Sequence, residues 1–438
     1  MTGSSANIRN VVAWEALDSR GRPTVACRVH LRSGAIGRAI VPSGASTGRH
    51  EAVERRDGGK RYDGHGVRGA VDAVVTDLGP AVAGLDATDQ AGVDARLEEA
   101  DGTPDLRRTG ANAVLAVSLG AALAAAQAHG RCLWQVLSDN AAADGAPALL
   151  PLPMVNIVSG GAHAGGAIDI QDILAVPLTA TSFAEALEVV ARVRSATVGL
   201  LSSRGMASGL VADEGGLAGP LASNEAALAL VTDGIEAAGL TPGTEVALAV
   251  DLAASQLSTS DGRYRLACEG RELDRADWLA EVARWCERYP IVSLEDVLDE
   301  DDWDGWVEAA RILPTGCQLL GDDLFATHAA RLREGLDRHA ANAVLVKPNQ
   351  AGTLTRAERV LRMAQHAGLG TVVSARSGDT EDSWLADLAV GWRAGQIKVG
   401  STTRSERTAK WNRLLELEHD LAGVAVLAGV DVLGRTRV

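Results

Sequence analysis

The stretch Asn342-Ala-Val-Leu-Val-Lys-Pro-Asn-Gln-Ala-Gly-Thr353 decides the fold of this chain. Ala343 to Val346 form a short apolar run rich in β-branched residues, which is typical of a buried parallel strand. Pro348 and Gly352 follow soon after it and favour an end to the strand. Lys347 is therefore predicted to lie at the carboxyl end of a buried strand.

Short apolar runs that lead into a polar residue recur on both sides of this stretch. The polar residues that they reach are Asp251, Glu295, Asp322, Arg376 with Ser377, and Lys398. Amphipathic helical segments alternate with these runs, for example at 226–238, 276–288 and 354–367. Repeated units of this size predict a (β/α)8-type barrel, in which the active site lies at the carboxyl ends of the strands.

The residues before the barrel predict a separate α+β domain. Residues 7–40 alternate apolar and polar side chains around a turn at 18–23, which indicates an antiparallel meander, and residues 67–136 show a helical pattern. Residues 138–151 are rich in Ala, Asp, Gly and Pro. We therefore expect an N-terminal α+β capping domain over 1–140 and a catalytic barrel over 141–438.

The loop Val41-Pro-Ser-Gly-Ala-Ser-Thr-Gly48 separates the meander from the helices and has no periodicity. Two interpretations remain open at this point. The loop is either a plain connection, or a mobile lid whose hydroxyl and amide groups approach a ligand.

Composition excludes several classes of function. The formal charge is −15 and no Lys/Arg cluster is present, which argues against nucleic-acid binding but allows a small anionic substrate. We expect no membrane span and no signal peptide, and therefore a cytoplasmic protein. The five cysteines are odd in number and show no CxxC spacing, so reduced thiols are expected.

Three carboxylates are expected to meet on one rim of the barrel, from Asp251, Glu295 and Asp322. Their mutual repulsion favours a hard divalent cation, and Mg²⁺ suits an all-oxygen site. The alternative is a set of structural ion pairs with arginines. Lys347 and Lys398 would lie nearby, and a buried lysine beside such a cation has its neutral form favoured, as a general base requires.

A second set of acids precedes these strands. Glu214 comes just before two glycines, and Asp172 alternates with isoleucines, so either carboxyl group could assist the departure of a leaving group. His163 lies in a glycine-rich loop at 159–166, which favours contact with a ligand. Gln171 is a further substrate-binding candidate. Glu214 or Asp172 alone is more often a structural acid than a catalytic one.

Together these motifs resemble those of the enolase family over nearly the whole chain. The matching motifs are Asp18-Ser-Arg-Gly, Ser43-Gly-Ala-Ser-Thr-Gly, Gly110-Ala-Asn-Ala, Gly160-Gly-Ala-His-Ala-Gly, Asp213-Glu-Gly-Gly, Ser293-Leu-Glu-Asp, Gly321-Asp-Asp-Leu, Lys347-Pro-Asn-Gln-Ala-Gly-Thr, Arg376-Ser-Gly-Asp-Thr-Glu-Asp and Gly395-Gln-Ile-Lys-Val-Gly.

The resemblance implies an α/β enzyme, usually a homodimer or larger assembly, with two Mg²⁺ per active site. It implies that Lys347 takes the proton α to a carboxylate, a use of lysine that is known for enolase-superfamily sites. The first Mg²⁺ would be held by Asp251, Glu295 and Asp322. Ser43 on the lid would help to hold the second through the phosphorus group of the substrate.

The resemblance also implies how the small, anionic, phosphorus-bearing substrate is held. Lys398 would hold its carboxylate, and Arg376 with Ser377 its phosphoryl oxygens. Glu214 and Asp172 would assist loss of the 3-hydroxyl, and His163 would close over the substrate.

Departures from the family pattern are concentrated around the active site. Ala375 stands where the family has histidine beside the phosphoryl group, and Asp172 replaces glutamate. Further differences are Ser159 for asparagine, Arg22 for asparagine, Gln256 for glutamate and Val297 for proline. Because the metal ligands and both lysines are kept, a decayed enzyme is not the pattern expected.

Ala375 frees roughly the volume of an imidazole, which favours a substrate enlarged at phosphorus. A phosphorus-bound carboxyl group fits this description, and Arg49 is a candidate cation for it. The alternatives are ordinary dehydration of 2-phosphoglycerate and a non-catalytic scaffold with the same fold.

Overall fold

The computed structural model describes residues 6–45, 47–139 and 147–434. The expected domain boundary at 140/141 lies outside the described residues and stays a prediction.

The N-terminal domain begins with the predicted antiparallel meander. Its strands are β1 (Ile8–Leu17), β2 (Pro23–Leu31) and β3 (Ile36–Ile40). The turn between β1 and β2 forms because Asp18 Oδ1 accepts hydrogen bonds from the backbone N–H groups of Arg20 and Arg22, at 2.8 and 2.9 Å. Val25, Cys27, Val29 and Leu31 are all buried on one face, which confirms the period-two prediction.

Helices cover the inner face of this sheet. They are α1 (Arg68–Ala73), α2 (Gly79–Val82), α3 (Gln90–Asp101), α4 (Ala111–Ala128) and α5 (Leu133–Asp139), with a π-helical turn at Val74–Leu78. Helix α4 lies against β3 at glycines: a Cβ added to Gly37 would lie 1.9 Å from the carbonyl oxygen of Gly120. By length and composition α4 is a candidate membrane span, but 83% of it is buried, as in a core helix.

The barrel is closed and has eight strands. They are β5 (Leu152–Ser159), β6 (Asp172–Pro177), β7 (Val246–Asp251), β10 (Ile291–Glu295), β11 (Gln318–Gly321), β12 (Ala343–Val346), β13 (Gly370–Ser374) and β14 (Gly395–Gly400). All neighbours are parallel except at β6, which is antiparallel to both β5 and β7. The amino-terminal residue of β6, Asp172, therefore lies on the same rim as the carboxyl ends of the other strands.

The remaining elements surround the barrel. The helices are α6 (Phe183–Ser203), α7 (Asn224–Ala237), α8 (Ala254–Leu257), α9 (Arg275–Arg288), α10 (Trp303–Ile312), α11 (Ala329–Arg338), α12 (Pro348–Ala351), α13 (Leu354–His366), α14 (Trp384–Gly391) and α15 (Ser405–Asp420). Short strands form two pairs, β4 (Ala148–Leu150) with β15 (Ala425–Leu427), and β8 (Tyr264–Leu266) with β9 (Arg271–Leu273). Single 3₁₀ turns lie at Arg61–Gly64, Gly161–Ala164 and Val430–Leu433.

The C-terminal 3₁₀ turn closes the amino-terminal end of the barrel. Leu433 packs with the side chains inside the barrel, including Leu345 and Val372. Val432 lies over Gly370 and Gly395, the first residues of β13 and β14, because neither has a side chain to obstruct it. This end is therefore filled by packing, and polar side chains gather at the opposite rim.

Candidate active site

A polar cavity lies at the carboxyl rim of the barrel, where the sequence predicted it. Its lining contains most of the predicted site residues together with several others: His163, Gln171, Glu214, Asp251, Ala253, Gln256, Asp296, Asp322, Asp323, Lys347, Ser374, Ala375, Arg376, Ser377 and Lys398. The structure thus brings together residues that are more than 200 positions apart in the chain.

Lys398 ties two of the predicted metal ligands together. Its Nζ lies 2.7 Å from Asp251 Oδ2 and 2.8 and 2.7 Å from the two carboxylate oxygens of Glu295. Burial lowers the pKa of Lys398, but the two carboxylates outweigh it and raise the pKa well above its usual value. Lys398 lies inside strand β14 rather than after it, and it is held as a buried ammonium group.

Lys347 follows β12, as predicted, and forms an ion pair with Asp322. Gln350 donates a hydrogen bond to the other oxygen of Asp322, at 2.9 Å. Burial lowers the pKa of Lys347, but Asp322 outweighs it and raises the pKa. The prediction of a neutral lysine presumed a divalent cation at this carboxylate. With Asp322 as its partner, Lys347 keeps its proton.

His163, Asp172 and Glu214 form a buried cluster between β5 and β6. His163 Nδ1 lies 2.8 Å from Asp172 Oδ2, and its Nε2 lies 3.9 Å from Glu214 Oε1. Asp172 also accepts a 2.5 Å hydrogen bond from the hydroxyl group of Ser159. Burial lowers the pKa of His163, but Asp172 and Glu214 outweigh it and raise the pKa to about 9. His163 and Glu214 line the cavity, and Asp172 lies behind the imidazole.

Gln171 lies just before β6 and hydrogen-bonds to one of the predicted metal ligands. Its side-chain amide donates to Asp251 Oδ2 at 3.0 Å, and its carbonyl oxygen accepts from Gln256 Nε2 at 3.0 Å. Gln256, where the family has glutamate, therefore holds Gln171 by a neutral hydrogen bond and adds no negative charge to the cavity.

The predicted phosphoryl-binding residues lie together on the β13 side of the cavity. Arg376 donates to Glu51 at 2.8 and 3.2 Å and to Asn349 at 3.2 Å. Ala375 lies beside it and is 5% exposed. Ser377 Oγ accepts a 2.6 Å hydrogen bond from the backbone N–H of Ala45, so the lid is in contact with this side of the site.

Ser43 lies at the base of the lid, buried against the loop after β13. Its backbone exchanges hydrogen bonds with Gly378, at 2.8 and 3.0 Å. Its hydroxyl group donates to Asp18 at 2.9 Å and accepts from Arg20 at 3.1 Å. Ser43 is therefore held by the turn between β1 and β2. Ser46, further along the lid, lies outside the described residues.

Arg49 does not line the cavity. Its guanidinium group is within 2.7 Å of both Glu300 and Asp299, and 3.3 Å from Asp301. Because this acidic run after β10 already pairs with Arg49, the structure gives no support to its binding a phosphorus-bound carboxyl group, which stays a prediction. The contact fastens the chain just after the loop at 41–48.

Sequence reasoning missed several residues of the site. Asp296 and Asp323 each follow a predicted ligand directly, and their oxygens lie within 4.8 Å of one another and of Asp322. The signal was present as paired acids at two neighbouring strand ends. Glu51 and Gln350, which orient Arg376 and Asp322, carried a weaker signal as neighbours of the lid and of Lys347.

The donor set fits a hard divalent cation. Burial raises the pKa of Glu295 well above its usual value, with Asp251 and Asp322 adding to the effect. Burial and Asp322 also raise the pKa of Asp323, to about 8. The rim therefore holds more carboxylate than its two lysines offset, and oxygen-rich sites of this kind suit Mg²⁺. Asp251, Glu295 and Asp322 stay the predicted ligands, and of these Asp322 belongs with Asp296 and Asp323 to a group whose carboxylate oxygens lie within 4.8 Å of one another.

Comparison with protein-family models matches both parts of the chain. Residues 8–137 match the model described as "Enolase, N-terminal domain", and residues 147–436 match "Enolase, C-terminal TIM barrel domain". The chain belongs to the enolase family. Membership supports a lyase of the enolase superfamily and agrees with the N-terminal domain and closed barrel described above. Enolases typically use Mg²⁺, which agrees with the acidic clusters on the rim.

Proposed function

We propose that this enolase removes the proton α to the carboxylate of a 2-phosphoglycerate-like substrate and eliminates the 3-hydroxyl group to give an enolpyruvate. The observation that carries the proposal is the arrangement of base and acid around the barrel. In the closed strand order, β12 lies directly across from β6. Lys347 therefore faces the cluster of His163 and Glu214 across the cavity, as removal of a proton and of a hydroxyl group from opposite faces requires.

The residues have distinct parts in this elimination. With a divalent cation on Asp322, Lys347 would lose its proton and could then take the C2 proton, while the C2–C3 double bond forms and the C3–O bond breaks. The cluster of His163 and Glu214 gives a proton to the departing oxygen, which leaves as water. Lys398 binds the substrate carboxylate. When bound, Mg²⁺ supplies positive charge that stabilises the enediolate.

We further propose that the substrate carries an extra group on phosphorus, so that the product is carboxyphosphonoenolpyruvate, an intermediate of phosphonate and phosphinate antibiotic biosynthesis. Ala375 supports this, because it lines the cavity next to Arg376 and Ser377. The Ala375 methyl group is smaller than the imidazole that the family has at this position. Because Arg49 is engaged elsewhere, the added carboxyl group must share the cations of the cavity itself.

Ordinary dehydration of 2-phosphoglycerate is the second candidate. The carboxylates, Lys347 and Lys398 that this reaction needs are all in place. The two candidates differ at one position, since only the enlarged substrate needs the space beside Ala375.

The test is the rate of enolpyruvate formation with Mg²⁺, from 2-phosphoglycerate and from its analogue with a carboxyl group on phosphorus. We expect wild type to prefer the analogue by at least about tenfold in kcat/KM, and Ala375→His to reverse the preference. Lys347→Met supplies the inactive baseline. Equal or better use of 2-phosphoglycerate by wild type would establish the ordinary reaction instead.

A further inference from the structure

Asp172 has both carboxylate oxygens engaged within the protein. Oδ1 accepts the Ser159 hydroxyl at 2.5 Å, and Oδ2 lies 2.8 Å from His163 Nδ1. Asp172 is fully buried, and Ser159 is its partner in the β5–β6 register. The Asp172 side chain is thus fixed by Ser159 on one side and His163 on the other. Its carboxylate lies behind the His163 ring, away from the cavity.

His163 is the member of this group that meets the cavity. Its Nδ1 is taken by Asp172, so the second ring nitrogen, Nε2, is directed toward Glu214 at 3.9 Å. Both His163 and Glu214 line the cavity. A carboxylate on one nitrogen of a histidine fixes the orientation of the ring and the charge available at the other.

Ser159 is fitted closely into this arrangement. A Cβ added to Gly216 would lie 2.3 Å from the Ser159 hydroxyl oxygen, so glycine at 216 leaves the space that this hydroxyl occupies. The backbone N–H of Ser159 is also held, donating to Leu217 at 2.9 Å. Ser159 and Asp172 are both departures from the family pattern, and they contact each other. Two shortened side chains therefore form one hydrogen-bonded pair.

We infer that Ser159 and Asp172 are positioning residues that act together on His163, which donates the proton from Nε2 to the departing hydroxyl group. Asp172 does not touch the substrate in this arrangement. The inference rests on the proposed elimination and assigns a different task to Asp172 from that of its longer counterpart in the family.

The charges around His163 agree with this assignment. The groups that face it are Asp172 on β6, Glu214 between α6 and α7, and Asp251 at the end of β7. Together they outweigh burial and raise the pKa of His163 to about 9. Burial raises the pKa of Asp172, and His163 and Lys398 on β14 act in the opposite direction. His163 is therefore an imidazolium at neutral pH, with a proton to give.

The test uses Asp172→Asn, Ser159→Ala and the double variant. The His163 ring is titrated by NMR in the free protein, and kcat and KM are measured from pH 6 to 9.5. We expect Asp172→Asn to lower the His163 pKa by at least one unit and kcat at pH 8.5 about 100-fold, with KM within about threefold. Ser159→Ala should also lower the His163 pKa and kcat, with about a fivefold loss in kcat.

The double variant decides whether the pair acts as one unit. If Ser159 acts only through Asp172, adding Ser159→Ala to Asp172→Asn costs nothing further. The inference would be overturned if the double variant lost a further fivefold in kcat, or if the His163 titration did not change. It would also be overturned if the variants raised KM without changing the pH dependence of kcat. The ring titration does not depend on turnover, so it remains informative if the proposed elimination is wrong.

Discussion

The two active-site lysines differ in how firmly each is held. Lys398 bridges Asp251 and Glu295 through three short contacts, whereas Lys347 has Asp322 as its one acidic partner among the described residues. A base must release its proton and move toward a substrate, which is easier for a group with one partner. The contacts therefore agree with Lys347 as the base and Lys398 as the fixed cation.

This difference predicts unequal effects on stability. Lys398→Met leaves two buried carboxylates without their cation and should lower the free energy of unfolding by about 3–5 kcal/mol. Lys347→Met leaves only Asp322, which keeps its hydrogen bond from Gln350, so its loss should be less than half as large. Urea unfolding in Mg²⁺-free buffer measures both. Equal losses would contradict the difference described here.

At the scale of elements, one buried carboxylate joins the two domains. Asp94 of α3 accepts hydrogen bonds from the backbone and side chain of Thr355, at 2.9 and 2.6 Å, at the start of α13. Leu354 donates to Ser118 of α4 beside it, at 3.1 Å. The N-terminal domain thus satisfies two backbone N–H groups in the first turn of α13, which fixes this domain against the barrel.

This contact predicts a pH-dependent contribution to stability. Burial raises the pKa of Asp94 from 3.8 to about 6, so the folded state holds this proton more tightly than the unfolded state. Stability from this group is therefore present below pH 3.8 and is lost as the pH rises through 6, by up to about 3 kcal/mol.

Asp94→Asn removes the titration while keeping an oxygen for Thr355. Between pH 4 and pH 7, the unfolding free energy of wild type should fall relative to that of the variant by about 2 kcal/mol. Chemical unfolding at several pH values measures the difference. A constant difference in unfolding free energy across this range would show that burial does not raise the pKa of Asp94.

At the scale of the whole molecule, one end of the barrel is packed and the other collects charge. The C-terminal turn fills the amino-terminal end, and the buried carboxylates of the opposite rim exceed the lysines there. Neighbouring carboxylates on this rim therefore repel one another, and a bound divalent cation would reduce that repulsion and stabilise the folded state.

Mg²⁺ is accordingly expected to stabilise the protein. At a concentration 100 times its Kd it should add about 2.7 kcal/mol to the free energy of unfolding, and chelation should remove that gain. Asp322→Asn should abolish the response, whereas Asp94→Asn, remote from the rim, should keep it. Thermal unfolding with and without Mg²⁺ checks this. A full response in Asp322→Asn would exclude the predicted ligand set.

Much of this architecture follows from the sequence. Strand ends at Asp251, Glu295 and Lys347 were predicted from local patterns, because apolar runs and Pro/Gly stops are local signals. The antiparallel direction of β6 was not, since strand direction depends on pairing with distant strands. The partners of Lys398 and Arg49 were missed for the same reason. Roles that came from the family resemblance, and the expectations of a homodimer and a cytoplasmic location, stay predictions.

The central claim is that Lys347 removes the C2 proton and that a separate acid, across the barrel, completes the elimination. Solvent deuterium exchange at C2 tests it most directly, measured with Mg²⁺ on both candidate substrates for Lys347→Met and His163→Gln. We predict that Lys347→Met loses exchange and elimination together, while His163→Gln keeps exchange and loses elimination by at least about 100-fold. Continued exchange in Lys347→Met, or its loss in His163→Gln, would contradict this account.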